Sequence, residues 1–289
     1  QLGLLSGGCL EADIMRHART VMADGQSKSI TYDMQDEDDI AWQLGIGCGG
    51  RVKIQLDLIH RSSAYLQLDK LHQHLEAQQR AWFALPLEPR QATVGPRLYT
   101  QADVSPPFRV DKTRQIDDEQ GAWLVTPIKP PPHLLVFGGG LDARPMASIA
   151  NELGWRVTLV DHRCAYARAA HFSSVSQILR TKAAQLSAEI LTSIDAAVVM
   201  NHNIEMDAQA LRALVHSNAT YIALLGPRHR CRQVLEAAAL GEQRLPAKLA
   251  SPAGFNIGGE LPESIALATL AECHAALEGA INNKMSSLV

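Results

Sequence analysis

Four groups of residues in this chain have types and spacings that suit chemistry. Cys9 ends the turn Ser6-Gly7-Gly8-Cys9, just ahead of an apolar-periodic stretch that begins near Leu10. A thiol at the amino end of a helix is drawn toward the thiolate form, although a small residue packed at a turn fits the same pattern. Cys48 lies within Gly47-Cys48-Gly49-Gly50. Glycines on both sides give it little to pack against, which points to a functional thiol or to a backbone that Gly49 and Gly50 leave open to a ligand. Gly138-Gly139-Gly140, followed by Ala143, suits an anion held against the main chain. His202, between Asn201 and Asn203, is the imidazole best placed for function, as an acid–base group or as a loop cap. Arg228 and Arg230 carry the forked donors that hold phosphate, unless they are simply solvated.

The third group sits in a recognisable order of elements. His133 to Phe137 is a short apolar run that ends at the glycines, and Met146, Ile149, Ala150 and Leu153 give the next segment a helical period that closes at Gly154. Val157 to Val160 forms a second apolar run ending at Asp161. Strand, glycine turn, helix, strand and acid in this register predict a Rossmann-type unit. Gly138 permits the tight turn off the strand, Gly140 lets a phosphate approach the backbone, and Ala143 lets the helix pack close. An acid about 20 residues further on, Asp161, is placed to accept hydrogen bonds from a ribose or similar polyol. Further apolar strands, Ala196 to Met200 and Tyr221 to Leu225, end at Asn201-His202-Asn203 and Gly226-Pro227-Arg228-His229-Arg230. Ligands of doubly wound sheets bind outside the carboxyl ends of the strands. These loops are therefore expected to line one crevice, joined by the turn Asn256-Ile257-Gly258-Gly259 near the tail.

The rest of the chain sets limits. Its 289 residues are sufficient for two domains and 46% hydrophobic content for ordinary cores. A net charge of −3 gives no electrostatic footprint for nucleic acid. No apolar run approaches the roughly 20 residues that cross a bilayer. Five widely spaced cysteines, an odd count with no Cys-x-x-Cys pair, argue for a reducing cytoplasm and against a structural metal site. Because the chain opens at Gln1 in what reads as the middle of a fold, an upstream segment is expected. The proline-rich connector Pro127 to Pro132 predicts a boundary between an N-terminal α+β domain, residues 1–129, and a Rossmann-type domain, residues 130–289. The fold class is thus α/β. Within the first domain the pattern predicts a helix from near Leu10, a half-buried strand over Arg51 to Leu58, a polar helix over Tyr65 to Phe83, and strands at Arg97 to Thr100 and Ala122 to Ile128. His72 and His74, two apart on that helix, face different sides and cannot share a metal. In the second domain helices are expected near Lys182 to Thr192, over Asp207 to His216, and over Ser264 to about Ile281, the last a core or dimer seam.

Several of these motifs together resemble the XdhC/CoxI-type family of xanthine dehydrogenase accessory proteins. The resemblance is carried by Ser6-Gly7-Gly8-Cys9-Leu10-Glu11, by Asp39-x-Ala41-Trp42 leading to Gly47-Cys48-Gly49-Gly50, and by Leu135-Val136-Phe137-Gly138-x-Gly140. It continues through Val160-Asp161-x-Arg163, Val199-Met200-x-His202, Leu224-Leu225-Gly226-x-Arg228-x-Arg230 and Ile257-Gly258. The resemblance implies a maturation factor: a protein that binds the molybdenum cofactor, holds it while its terminal sulfur is installed, and delivers it to a xanthine dehydrogenase-type molybdenum hydroxylase, with a cysteine desulfurase as a further partner. It implies cofactor contacts from Cys9, Cys48, Gly49, Gly50, Gly138, Gly140, Ala143, Asp161, Arg228 and Gly258, with Cys9 and Cys48 as soft ligands to molybdenum. It further implies a chaperone more than a turnover enzyme, with a homodimer as one arrangement. Two positions depart from the family pattern, Asn201-His202-Asn203 where Thr-His-Asp is usual and Pro227 where serine is usual. The alternative is an NAD(P)-dependent oxidoreductase that uses the Rossmann half, with Asp161 favouring NAD.

Overall fold

A computed structural model describes residues 10–33, 50–87, 95–241 and 244–280. The chain divides into two units, Gln1–Pro130 and Pro131–Val289. In the first, helix α1 (Glu11–Asp24) carries Glu11 and Asp13 in its opening turn, where carboxylates complement the dipole, and closes at Gly25 with φ of 70°. Leu10 and Ile14 pack on Tyr32 and Ile54 of an antiparallel pair, β1 (Lys28–Asp33) and β2 (Arg51–Leu56).

The polar helix expected over Tyr65 to Phe83 is not formed as such. Ala64 to Gln67 take left-handed backbone, and only α2 (Leu68–Glu76) is α-helical. Ala81 to Pro86 is instead a strand, β3, with Trp82 and Ala84 buried. It pairs antiparallel with β4 (Arg97–Thr100) on one side and β6 (Gly121–Ile128) on the other, and β5 (Arg114–Asp118) completes a sheet of order β4-β3-β6-β5. Ladder bonds on both edges and two buried tryptophans, Trp82 and Trp123, outweigh the weak helical period of the preceding residues.

The second unit has the expected Rossmann-type architecture. Strands β7 (His133–Phe137), β8 (Arg156–Val160), β9 (Gln177–Leu179), β10 (Ala196–Val199), β11 (Tyr221–Leu224) and β12 (Leu249–Ala250) form one parallel sheet of order β12-β11-β10-β7-β8-β9. Unbroken apolar runs make the four central strands because both faces of the sheet are covered. On one face, helix α3 (Ala143–Glu152) packs through Ala143, Met146 and Ala150. Helix α7 (Pro262–Leu277) joins it through Ala266, Leu270 and Cys273. The other face is covered by α4 (Ala188–Ser193), α5 (Ile204–Leu214) and α6 (Arg228–Ala238) through Leu191, Leu211 and Val234. Chain order reverses direction between β7 and β10, so the loops that leave their carboxyl ends flank the switch point. No helix among the described residues is long and apolar enough to cross a membrane.

Candidate ligand crevice at the switch point

The glycine turn has the shape its sequence implies. Gly138 takes φ of 108°, and a Cβ there would lie 2.6 Å from the Met200 carbonyl oxygen, so the turn depends on glycine. Ala143 is fully buried at the first position of α3, which brings the helix against the sheet. Amides of Ala143 and Arg144 bond back to the carbonyls of Gly140 and Leu141.

Asp161 stands at the end of β8 and is 2% exposed. Its carboxylate is not free to read a polyol. Oδ2 accepts from the Gly139 amide at 2.9 Å and from Arg163 Nη2 at 2.7 Å, while Oδ1 accepts from the Arg163 amide and Nε, each at 2.9 Å. Burial alone would raise the pKa of this acid, but the Arg163 and Gly139 hydrogen bonds outweigh it and hold the carboxyl below its ordinary value. The acid expected to meet a ribose thus clamps the glycine turn to the β8 loop. Arg163 also lies over the Tyr166 ring at 4.0 Å.

Across the switch point, the β10 loop presents His202 with φ of 58°, in left-handed backbone that a histidine rarely takes. Its Nε2 meets Asp142 Oδ2 at 2.6 Å, and the ring is well exposed. That hydrogen bond raises the imidazole pKa above 6.5. Asn203 is the N-cap of α5, its side-chain oxygen accepting from the Met206 amide at 3.0 Å. Asn201 donates its amide and its side-chain nitrogen to Asp207 Oδ1, at 3.0 and 2.9 Å. Fully buried Asp207 pairs through Oδ2 with Arg230, which also donates to the Leu225 carbonyl at 3.2 Å. Arg230 is therefore committed to the protein. Arg228 and His229, at the start of α6, are exposed.

The structure brings together Gly138, Gly140, Ala143, Asp161 and His202, and adds Asp142, Asp207 and Arg163, whose types and spacing alone do not mark them out. A small cavity of about 20 Å³ lies among them, lined by Phe137, Asp161, Lys182, Asn201, Met206 and Gln209. Gly258 takes φ of 83° in the turn before α7 and Gly50, in the first unit, takes φ of 144° beside β2. Cys9, Cys48 and Gly49 lie outside the described residues. Among the described residues no three His, Cys, Asp or Glu side chains gather as metal ligands.

Comparison with known proteins agrees with this architecture. Residues 134–273 match the XdhC Rossmann domain, and residues 1–33 match the XdhC and CoxI family. A protein of Bacillus subtilis (strain 168) described as a probable xanthine dehydrogenase component is 30% identical over 294 residues, covering 94% of this chain and 83% of that protein. An uncharacterized protein of Escherichia coli (strain K12), YqeB, is 26% identical over 144 residues, covering 49% of this chain and 26% of its own. A crystal structure described as a xanthine dehydrogenase from Bacillus halodurans superposes with a TM-score of 0.76 at 24% identity, over 99% of this chain and 85% of the other. With the glycine turn, the sheet order and a relative of this similarity over most of both lengths, the chain belongs to the XdhC and CoxI family.

Proposed function

We infer that this protein is an accessory factor of a xanthine dehydrogenase-type molybdenum hydroxylase, which holds the molybdenum cofactor and delivers it to that enzyme. Family membership and the name borne by the Bacillus subtilis relative support the accessory role. The observation that carries the choice of ligand is the state of Asp161. With all of its strong acceptor directions taken by Gly139 and Arg163, the crevice lacks the free acid with which a dinucleotide site reads ribose.

The donor set fits the phosphate-bearing end of the cofactor. Exposed Arg228 and His229 stand at the uncapped start of α6, and His202 stands at the mouth of the crevice. When bound, the cofactor supplies a metal with soft dithiolene sulfur ligands. Arg228 and the first turn of α6 bind its phosphate, and His202 orients it or holds a proton at Nε2. Cys9 and Cys48 are the thiols assigned to the metal end on the sequence pattern alone. A cysteine desulfurase as sulfur donor belongs to the same proposal.

The test is anaerobic equilibrium titration with isolated molybdenum cofactor and, separately, with NAD, using wild type, Arg228→Ala and Cys48→Ala. Cofactor binding weakened in both variants, with no NAD binding, is the expected result. Binding of NAD with no affinity for the cofactor would replace this reading with that of an NAD-dependent oxidoreductase, the function class that the sheet order alone also permits.

A further inference from the structure

Asp142 occupies an unusual place. It precedes the first residue of α3, where aspartate ordinarily caps the helix, yet its side chain makes no capping hydrogen bond. The carboxylate turns the other way. Oδ1 lies 2.6 Å from the position a Cβ on Gly140 would take, so it stands directly over the backbone of the second turn glycine. Oδ2 is held at 2.6 Å by His202 Nε2, from the loop on the far side of the switch point.

In a dinucleotide-binding turn the second glycine is bare so that pyrophosphate can approach the chain. Gly140 is bare here too, but the space beside it is taken by the protein's own anion. Its φ is not positive, so the glycine meets a demand for space and not for backbone conformation. We propose that Asp142 is a specificity-determining residue that fills the anion seat of the Gly138–Ala143 turn, is fixed there by His202, and thereby bars a pyrophosphate group, and with it dinucleotides, from the crevice.

The geometry accounts for two otherwise separate features. The strained backbone of His202, φ 58°, aims its ring across the switch point toward Asp142. Arg230, whose charge lies near the same imidazole, is tied to Asp207 and gives an incoming anion no free partner there. A pyrophosphate entering the turn therefore meets a carboxylate at contact range, with one imidazolium shared between the two. The inference goes beyond the accessory role and does not depend on what the protein delivers.

The probe is inorganic pyrophosphate, titrated calorimetrically into wild type, Asp142→Asn, Asp142→Ser and His202→Asn at fixed ionic strength, with the thermal midpoint of each recorded. Asparagine keeps the shape without the charge, and serine keeps a capping oxygen without either. Both Asp142 variants are expected to bind pyrophosphate about tenfold or more tightly than wild type, the equivalent of about 1.4 kcal/mol, while His202→Asn gains nothing. Unchanged affinity in both Asp142 variants, or wild type that already binds as tightly as they do, would overturn the proposal. Because this test follows pyrophosphate and the previous one follows the molybdenum cofactor, either can fail while the other stands.

Discussion

A single buried carboxylate shows how far residue types alone can be read. Asp161 was legible as the acid at the end of the second Rossmann strand, but Arg163, two residues on, closes upon it, and nothing in the spacing distinguishes a clamp from a reader of polyols. Because the folded pKa of Asp161 is depressed, its contribution to stability is present above the unfolded value near 3.8 and is lost as pH falls through the folded value. Arg163→Ala should raise that pKa and move the acid limb of the stability profile to higher pH, as followed by denaturation midpoints between pH 2 and 6. His202 has the opposite sign. Its raised pKa makes its contribution complete below pH 6.5 and lost as pH rises through the folded value. In Asp142→Asn the imidazole should titrate at lower pH than in wild type, a shift that NMR of the ring protons reads directly. Asp142 and Asp207 escaped notice because an aspartate beside or within the first turn of a helix is ordinary dipole complementation. Replacing Asp207 by alanine would strand Arg230 and two Asn201 donors in the interior. A loss of about 3 kcal/mol or more is expected in urea unfolding.

At the scale of elements, the strands of the second unit were the most legible, since runs such as His133 to Phe137 are bounded sharply by proline and glycine. The strand Ala81–Pro86 was not. Its neighbours Leu66, Leu68, Leu71 and Leu75 continue a helical period almost to Ala81, and the pairings that make it a strand come from residues 97–100 and 123–128, far away in sequence. Strand β9 was invisible for a related reason, as three residues carry no period and only the exposed edge of β8 defines them. The helix ends were legible where they had a cap. Pro262 in the first turn of α7 and Asn203 at α5 both mark true starts. Gly138→Ala tests the turn that joins β7 to α3. With positive φ and the Met200 carbonyl in the way, it should cost about 2 kcal/mol or more, read from the shift of the urea midpoint.

For the molecule as a whole, the proline connector announced a division, and the structure divides the chain at Pro130. The second unit holds two apolar cores, one on each face of its own six-stranded sheet, so residues 131–289 expressed alone should melt as one cooperative transition in calorimetry. Loss of cooperativity in that fragment would mean that its fold leans on the first unit. The family was legible from the glycine and cysteine turns in order along the chain. The clamp and the latch at the switch point were not, because they join residues brought together only by the parallel sheet.

The brevity of that sheet's outer strands has a consequence for how copies of the protein meet. Strand β12 is two residues long and β9 three, so the margins of the sheet offer only a few open amides and carbonyls as a template for another chain. Concentrated solutions are thereby protected from ribbon-like growth through the second unit, and self-association involving it is left to helical or loop surfaces, where contacts are made by side chains and can be tuned one substitution at a time.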